Sequence, residues 1–450
     1  MRSCKNVFFV IFKIFKNRAC LVFVAVQQLS RFLTNAWVRR KFKDVFSHVR
    51  NNTLSRAELN YKDGIVKNIH YGDILIKFDE CLDIGNVRLP RISDESITKN
   101  FTASFLRDGD VIIADTAEDD SVGKCCEIVA VGSQRVLSGL HTIPCRPKWW
   151  FALGYLGYYM NSRSYHDQLR PLMQGIKVTS ILKIALKDTF IKYPSDIKEQ
   201  TAIGIFFRSL DNTIANHKRK LEKLKNLKKA YLQQMFPKAG ETVPRVRFAG
   251  FSGDWERRRL GDVADIVRGA SPRPIQDAKW FDEASGIGWL RISDVTEQNG
   301  RIYHLEQKIS LAGQSKTRVL NEPHLMLSIA ASVGKPVINY VQTGVHDGFL
   351  IFMNPQFELE FMFQLLEMFR PKWQKLGQPG SQVNLNSELI KRQKVLLPSM
   401  NEQNTVADFL CCFDNQIILQ SHKIEQLTQL KSAYLQKMFI DTSHSKKFPA

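Results

Sequence analysis

Residues 199–236 and 402–439 are two copies of one segment, and that duplication limits what the chain can become. EQTAIGIFFRSLDNTIANHKRKLEKLKNLKKAYLQQMF and EQNTVADFLCCFDNQIILQSHKIEQLTQLKSAYLQKMF align without a gap. About 17 of roughly 38 positions are identical, which chance does not supply at the scale of a structural repeat. A second shared element is WVRRKFKDV, Trp37 to Val45, against WERRRLGDV, Trp255 to Val263. A third and weaker one sets Gly175-Ile176-Lys177-Val178 with Pro194-Ser195 against Gly380-Ser381-Gln382-Val383 with Pro398-Ser399. Order is kept throughout, so the chain is a tandem duplication. The middles of the two halves barely resemble each other, and shared frames around unlike interiors predict one architecture presenting two different binding surfaces.

The repeated segments read as helices. Pro194-Ser195 and Pro398-Ser399 stand just before long stretches without proline. Apolar residues recur at steps of three, four and seven: Leu210, Ile214, Leu221, Leu224, Tyr231 and Met235, then Phe413, Ile417, Ile424, Leu427, Tyr434 and Met438. That narrow stripe predicts a coiled-coil seam used for helix pairing or as a subunit interface. Each helix would reach on the order of 57 Å. Their polar faces differ, since His217, Lys218, Arg219, Lys220, Lys223, Lys225, Lys228 and Lys229 make the first basic while the second carries Gln420, Glu425, Gln426 and Gln429. A solvated face and a phosphate-tracking face both fit that charge, and if one helix lies nearer to nucleic acid it is the first. Pro237 to Pro244 then marks a break, and the second half begins at Arg247-Phe248-Ala249-Gly250-Phe251-Ser252-Gly253-Asp254-Trp255.

The bulk numbers agree with a folded, multidomain chain. At 450 residues, 44% hydrophobic and 24% charged, it holds enough apolar surface for real cores. The formal charge of +20 points to a polyphosphate partner or to solubility alone. Cys4, Cys20, Cys81, Cys125, Cys126, Cys145, Cys411 and Cys412 form no C-x-x-C, which argues for reduced thiols and a cytoplasmic protein, with no metal expected. Near the N-terminus, Lys13, Lys16, Asn17 and Arg18 split the apolar run from Val7 to Val26, so neither piece is long enough to span a bilayer, and no membrane partner is expected.

Several motifs together resemble the specificity (S) subunit of type I restriction-modification systems. They are Leu227 to Phe236, Arg247-Phe248 with Gly250-Phe251 and Trp255, Leu260-Gly261-Asp262-Val263, and Leu397-Pro398-Ser399 with Glu402-Gln403. Gly288-Trp289-Leu290-Arg291-Ile292-Ser293-Asp294-Val295 is similar to the strand leading into that family's target recognition domain. The resemblance covers nearly all of Trp37 to Phe439. It implies an α+β fold with two tandem target recognition domains, each followed by a long helix, the two helices pairing as an antiparallel coiled coil. It also implies double-stranded DNA as ligand, two methyltransferase (M) subunits and endonuclease/translocase (R) subunits as partners, and chemistry that belongs to those partners. Residues 1–36 depart from the family pattern and read as a substituted leader or a reading-frame artefact.

No catalytic set and no cofactor site is read in the chain itself. Asn354-Pro355-Gln356-Phe357 lacks the second proline of an adenine-gripping tetrad and reads as a turn after the apolar strand Phe349 to Met353. Ser332 to Pro336 is too short for a phosphate loop. Base reading needs Arg or Lys for guanine and Asn or Gln for adenine on loops held by a rigid frame. The candidates are Arg50, Asn52, Lys67, Arg91, Lys99 and Lys177 in the first half, and Arg268, Ser271, Arg273, Lys279, Arg291, Lys335 and Asn384 in the second. Each also fits a phosphate contact or a solvated surface, while Trp289, Trp149 and Trp150 read as core. The expected plan is a leader (1–36), a first target domain (37–195), a first spacer helix (196–236), a linker (237–254), a second target domain (255–397), a second spacer helix (398–440) and a tail (441–450). Two rival readings stay open: a DNA methyltransferase or nuclease with its own catalysis, and a coiled-coil scaffold that binds DNA without sequence preference.

Overall fold

Both duplicated segments are helical from end to end, Ile197–Met235 over 39 residues and Met400–Lys437 over 38. The computed structural model describes residues 37–175, 177–329, 333–374 and 385–439; the expected leader, the expected tail and the candidate Asn384 lie outside the described residues. The described chain divides into two units, residues 37–218 with 422–439, and residues 219–421. Each unit therefore takes one end of each long helix. No helix among the described residues is long and apolar enough to cross a membrane.

In the first unit a five-stranded sheet runs in the order Phe46–His48, Thr142–Pro147, Val111–Ala114, Cys125–Val129, Cys81–Asp83. All neighbours are antiparallel except the last pair, which is parallel. Val111–Ala114 and Cys125–Val129 are buried at every position, as strands covered on both faces are. A four-stranded sheet of Arg135–Ser138, Val66–Ile69, Arg91–Ile92 and Leu59–Asn60 lies beside it. The core packs Tyr155, Tyr158, Tyr159 and Tyr165 against Phe206 and Phe207 of the first long helix, and Phe439 closes it.

The second unit repeats this sheet from an unlike sequence. Its order is Asp265–Arg268, Phe349–Met353, Leu325–Ser328, Pro336–Asn339, Arg301–Ile302, again antiparallel except for the last, parallel pair. A three-stranded sheet of Gly288–Trp289, Thr343–Val345 and Arg318–Leu320 accompanies it. Here Phe236 closes the core against Trp255 and Phe361. Asn354 takes a positive φ of 48° straight after Phe349–Met353, so the Asn-Pro-Gln-Phe segment is the turn its sequence suggests. The segment expected to be one strand from Gly288 to Val295 is split: only Gly288–Trp289 is extended, and Ile292–Glu297 is helical because Asp294 accepts the Arg291 backbone N–H at 2.7 Å and caps the turn.

The frame around each sheet is built from identical residues in identical roles. Trp37 donates its indole N–H to Glu199 at 3.3 Å, and Trp255 does the same to Glu402 at 3.4 Å. Gln200 donates to the Pro194 carbonyl at 2.9 Å and Gln403 to that of Pro398 at 3.0 Å, tying each long helix to the strand before it. That strand pairs antiparallel with the Trp-led strand, Trp37–Lys41 with Phe190–Pro194 and Glu256–Arg259 with Lys394–Leu397.

The helices run antiparallel within each unit. In the first, Phe206 meets Tyr434 and the Leu210–Ile214 turn packs on Ile424 and Leu427. In the second, Tyr231 packs on Phe409 and Phe413. Of the expected seam, Leu210, Ile214, Met235 and Leu427 are buried; Leu221, Leu224, Tyr231, Phe413, Ile417, Ile424, Tyr434 and Met438 are half-buried. Polar residues strengthen the pairing. Lys228 bridges Asp414 at 2.5 Å in the second unit, and its counterpart Lys431 bridges Asp211 at 2.6 Å in the first. Lys228, whose basic face fitted either solvent or a phosphate track, is instead a half-buried partner of the other helix.

Candidate nucleic-acid interface

The strand Asp265–Arg268 ends where three of the expected DNA-reading residues converge on one residue, Asp347. Asp347 accepts a hydrogen bond from the Ser271 hydroxyl at 2.8 Å and from the Arg273 guanidinium at 2.8 Å, while Arg268 Nε donates to the Asp347 carbonyl at 2.6 Å. Burial works against the Asp347 charge, but the Ser271 hydrogen bond and the Arg273 and Arg268 charges prevail and hold its carboxyl below the usual range. The result is a preorganised cluster whose two guanidiniums stay exposed. Arg318 braces it by donating to the Arg268 carbonyl at 2.8 Å. Asp347 and Arg318 were not among the expected residues; neither has a local motif, and only the strand pairing that carries residues 345–350 past Arg268 brings them in.

The other expected residues of this unit divide. Lys279 is exposed, pairs with Asp277 at 2.7 Å and lies over the Trp280 ring. Arg291 is held by Asp294 and Glu306. Lys335 does not belong to a reading surface: it is buried, and its ammonium is taken by Glu367 at 2.5 Å and Asn299 at 3.1 Å. A buried ammonium needs such partners, so it braces the fold.

In the first unit, Lys67 and Arg91 stand directly opposite each other on neighbouring antiparallel strands. Burial, with the Arg91 charge, lowers the Lys67 pKa. Arg50 is exposed, with its guanidinium 4.7 Å from the centre of the Phe101 ring. Lys99 and Lys177 are exposed elsewhere. Asn52 is a correction. It is 2% exposed, donates to Asn68 at 2.7 Å and to the Ser138 carbonyl at 3.0 Å, and accepts from the Leu54 N–H. With both ends of its amide engaged and buried, it locks the loop and has nothing left for a base. Trp289 is core, but Trp149 and Trp150 are 38% and 69% exposed, with Arg40 near the Trp149 ring.

One signal was present in the sequence and is made plain by the fold. Arg50 and Arg268 stand at the same place, each thirteen residues after its frame tryptophan and preceded by valine. Each follows or ends the first strand of its five-stranded sheet. The two frames thus deliver one arginine each to corresponding points of two otherwise unlike units.

Known proteins share this plan. Residues 252–429 match the family described as the type I restriction modification DNA specificity domain. A putative type I restriction enzyme specificity subunit, MjaX, of Methanocaldococcus jannaschii is 22% identical over 405 residues, 88% of this chain and 91% of that protein. The MjaVIII type I specificity subunit of the same organism is 24% identical over 288 residues, 58% of this chain and 64% of that protein. Among solved structures, the S subunit of a type I restriction-modification system from M. genitalium superposes with a TM-score of 0.58 at 13% identity, covering 91% of this chain and 97% of that one. At that identity it speaks for the fold.

Proposed function

The chain belongs to the specificity (S) subunit family of type I restriction-modification systems, and we propose that it reads a bipartite DNA target, one half with each unlike sheet domain. The observation that carries this reading is the contrast between frame and interior. Trp, Glu, Gln, Asp and Lys make the same contacts in both halves, whereas the residues offered to a ligand differ. A constant frame with two variable faces suits two independent half-sites joined by a spacer that the protein does not read.

In the second domain the reading surface centres on Arg268, Ser271 and Arg273, with Lys279 and Arg291 as further contacts. In the first it centres on Arg50, Lys67 and Arg91, with Lys99 and Lys177 as phosphate contacts. Arginine suits guanine O6 and N7, which it can meet with two hydrogen bonds in the major groove. Asp347 aims the guanidiniums before DNA arrives, which lowers the entropic cost of docking them. The paired helices offer the surface on which two methyltransferase subunits assemble, and an endonuclease/translocase subunit joins for cleavage. The chain carries out no chemistry; it places the methyltransferase, which extrudes adenine from the duplex.

Co-expression with the cognate methyltransferase subunit and genome-wide mapping of methylated adenine tests this. A split motif with an unread spacer is expected. Methyl transfer by the purified chain alone, or methylation at unrelated sequences, would overturn the reading.

A further inference from the structure

The turn that leads into the strand Thr142–Pro147 sets an imidazole where the second domain sets its aiming carboxylate. Pro147 pairs with Phe46 and Met353 with Asp265, so the two strands end at matching points of their sheets. Six residues back from those ends stand His141 in the first domain and, in the second, Asp347, which gathers Arg268, Ser271 and Arg273. His141 lies at the same end of its sheet as Arg50. Beside Arg50, Asn51 donates to the Gly139 carbonyl at 3.2 Å, and the Val49 N–H donates to that of Pro144 at 3.1 Å. His141 takes a φ of 53°, a left-handed conformation that glycine would adopt without the steric cost. Its side chain is 47% exposed, and Tyr71 meets the ring edge-on with centroids 5.1 Å apart.

The neighbours fix which ring nitrogen carries the proton. His141 Nδ1 lies 3.3 Å from the Asp115 carboxylate and 3.4 Å from the Thr116 hydroxyl oxygen. Thr116 donates its own proton to Asp115 at 2.8 Å, so both oxygens facing Nδ1 can only accept. The neutral imidazole therefore holds its proton on Nδ1 and leaves a lone pair on Nε2, which no group among the described residues takes up. Asp115 is itself anchored through its backbone, its N–H donating to the His141 carbonyl at 3.1 Å and its carbonyl accepting from the Ile181 N–H at 2.8 Å.

We propose that His141 is a base-reading residue of the first domain, accepting through Nε2 a hydrogen bond from an exocyclic amino group, adenine N6 or cytosine N4, in the major groove. The proposal deepens the reading of the chain as a DNA specificity subunit and rests on it. A strained backbone that presents a ring of fixed tautomer suits such a contact, because the acceptor is aimed before DNA arrives. Asp115 and Thr116 are positioning residues for the imidazole, as Asp347 is for the arginines of the second domain.

The test uses the full chain co-purified with its methyltransferase subunits, as parent, His141→Gly and Asp115→Asn. Mapped methylation by the His141→Gly complex is expected to relax one base pair of one half-site and keep the other half-site. A target duplex is then made with an analogue at that base pair, lacking the exocyclic amino group of its adenine or cytosine. The parent should bind the analogue roughly three- to tenfold more weakly than the natural target, the worth of one ordinary hydrogen bond. His141→Gly should show that loss on the natural target and no further loss on the analogue, while a scrambled duplex binds all three proteins alike. In Asp115→Asn the amide can donate to Nδ1 and leave the ring proton on Nε2. Preference should then move from adenine to guanine, or from cytosine to thymine, which put an oxygen where the amino group stood. Melting temperature should hold in His141→Gly, because glycine accepts the positive φ. The assignment is overturned by an unchanged motif in either variant, by a loss shared with the scrambled duplex, by a further loss of His141→Gly on the analogue, or by a fall in its melting temperature. If the parent itself does not prefer the target, the reading of the chain as a specificity subunit fails, and this contact with it.

Discussion

Removing the Asp414 carboxylate should be among the most damaging single changes to the second unit. Asp414 accepts from Lys228 at 2.5 Å, from Arg301 at 3.0 Å and from Gln364 at 2.7 Å, and its side chain is 7% exposed. In Asp414→Ala, Arg301 keeps Glu360 at 2.6 Å, but the half-buried Lys228 is left without its carboxylate partner. Breaking a buried pair in this way costs about 3–5 kcal/mol. For a unit of this size each kcal/mol shifts the melting temperature by about 2–4 °C, so a fall of roughly 6–20 °C is expected. The counterpart Asp211→Ala should cost less, because Lys431 retains Glu80 at 2.5 Å. Replacing both partners, in Lys228→Met with Asp414→Leu, should recover much of the loss. Calorimetry and urea titration of the four proteins decide the matter. The reasoning is refuted if Asp414→Ala melts within about 0.5 kcal/mol of the parent, or if Asp211→Ala is the costlier of the two.

Two further outcomes follow from named groups. Glu127 is fully buried and accepts from the Gly154 and Gly157 N–H groups, and burial, outweighing them and Arg208, pushes its carboxyl from 4.5 up to about 7. An unfolded chain releases that proton near 4.5 while the folded one keeps it, so stability of the first unit should fall as pH rises from 4.5 through 7, by about 3 kcal/mol in all. Urea midpoints should show this slope in the parent and not in Glu127→Gln, and parallel curves would count against it. Arg273→Ala should leave melting unchanged, since its bridge to Asp347 is exposed, yet weaken target binding by about 1–3 kcal/mol and relax one position of one half-site in mapped methylation. An unaltered motif would remove Arg273 from the reading surface.

The frame was legible in the sequence and the sheets were not. A helix of 39 residues advertises itself by period and by lack of proline, and its duplicate supplies a partner. The five-stranded sheets are made of strands two to six residues long, and several, such as Val111–Ala114 and Leu325–Ser328, are buried on both faces. Such runs show no alternation that would separate strand from buried helix. Site residues failed for a related reason: Asn52 and Lys335 have side chains suited to DNA, but only the fold reveals that both are enclosed and spent on internal partners. The Asp211/Asp414 and Lys228/Lys431 identities stood in the repeat alignment all along. Charged residues kept at matching positions of a paired helix are a sign of buried bridges, and they merit the same weight as the apolar stripe.

The central claim is that two unlike domains on one frame read two separate halves of a DNA site. Exchanging residues 260–393 for the matching segment of a relative with a different target, inside the otherwise intact chain co-expressed with its methyltransferase subunit, tests it most directly. The account predicts a methylated motif in which one half becomes that of the donor while the other half is retained. A motif altered in both halves, or in neither, would contradict it.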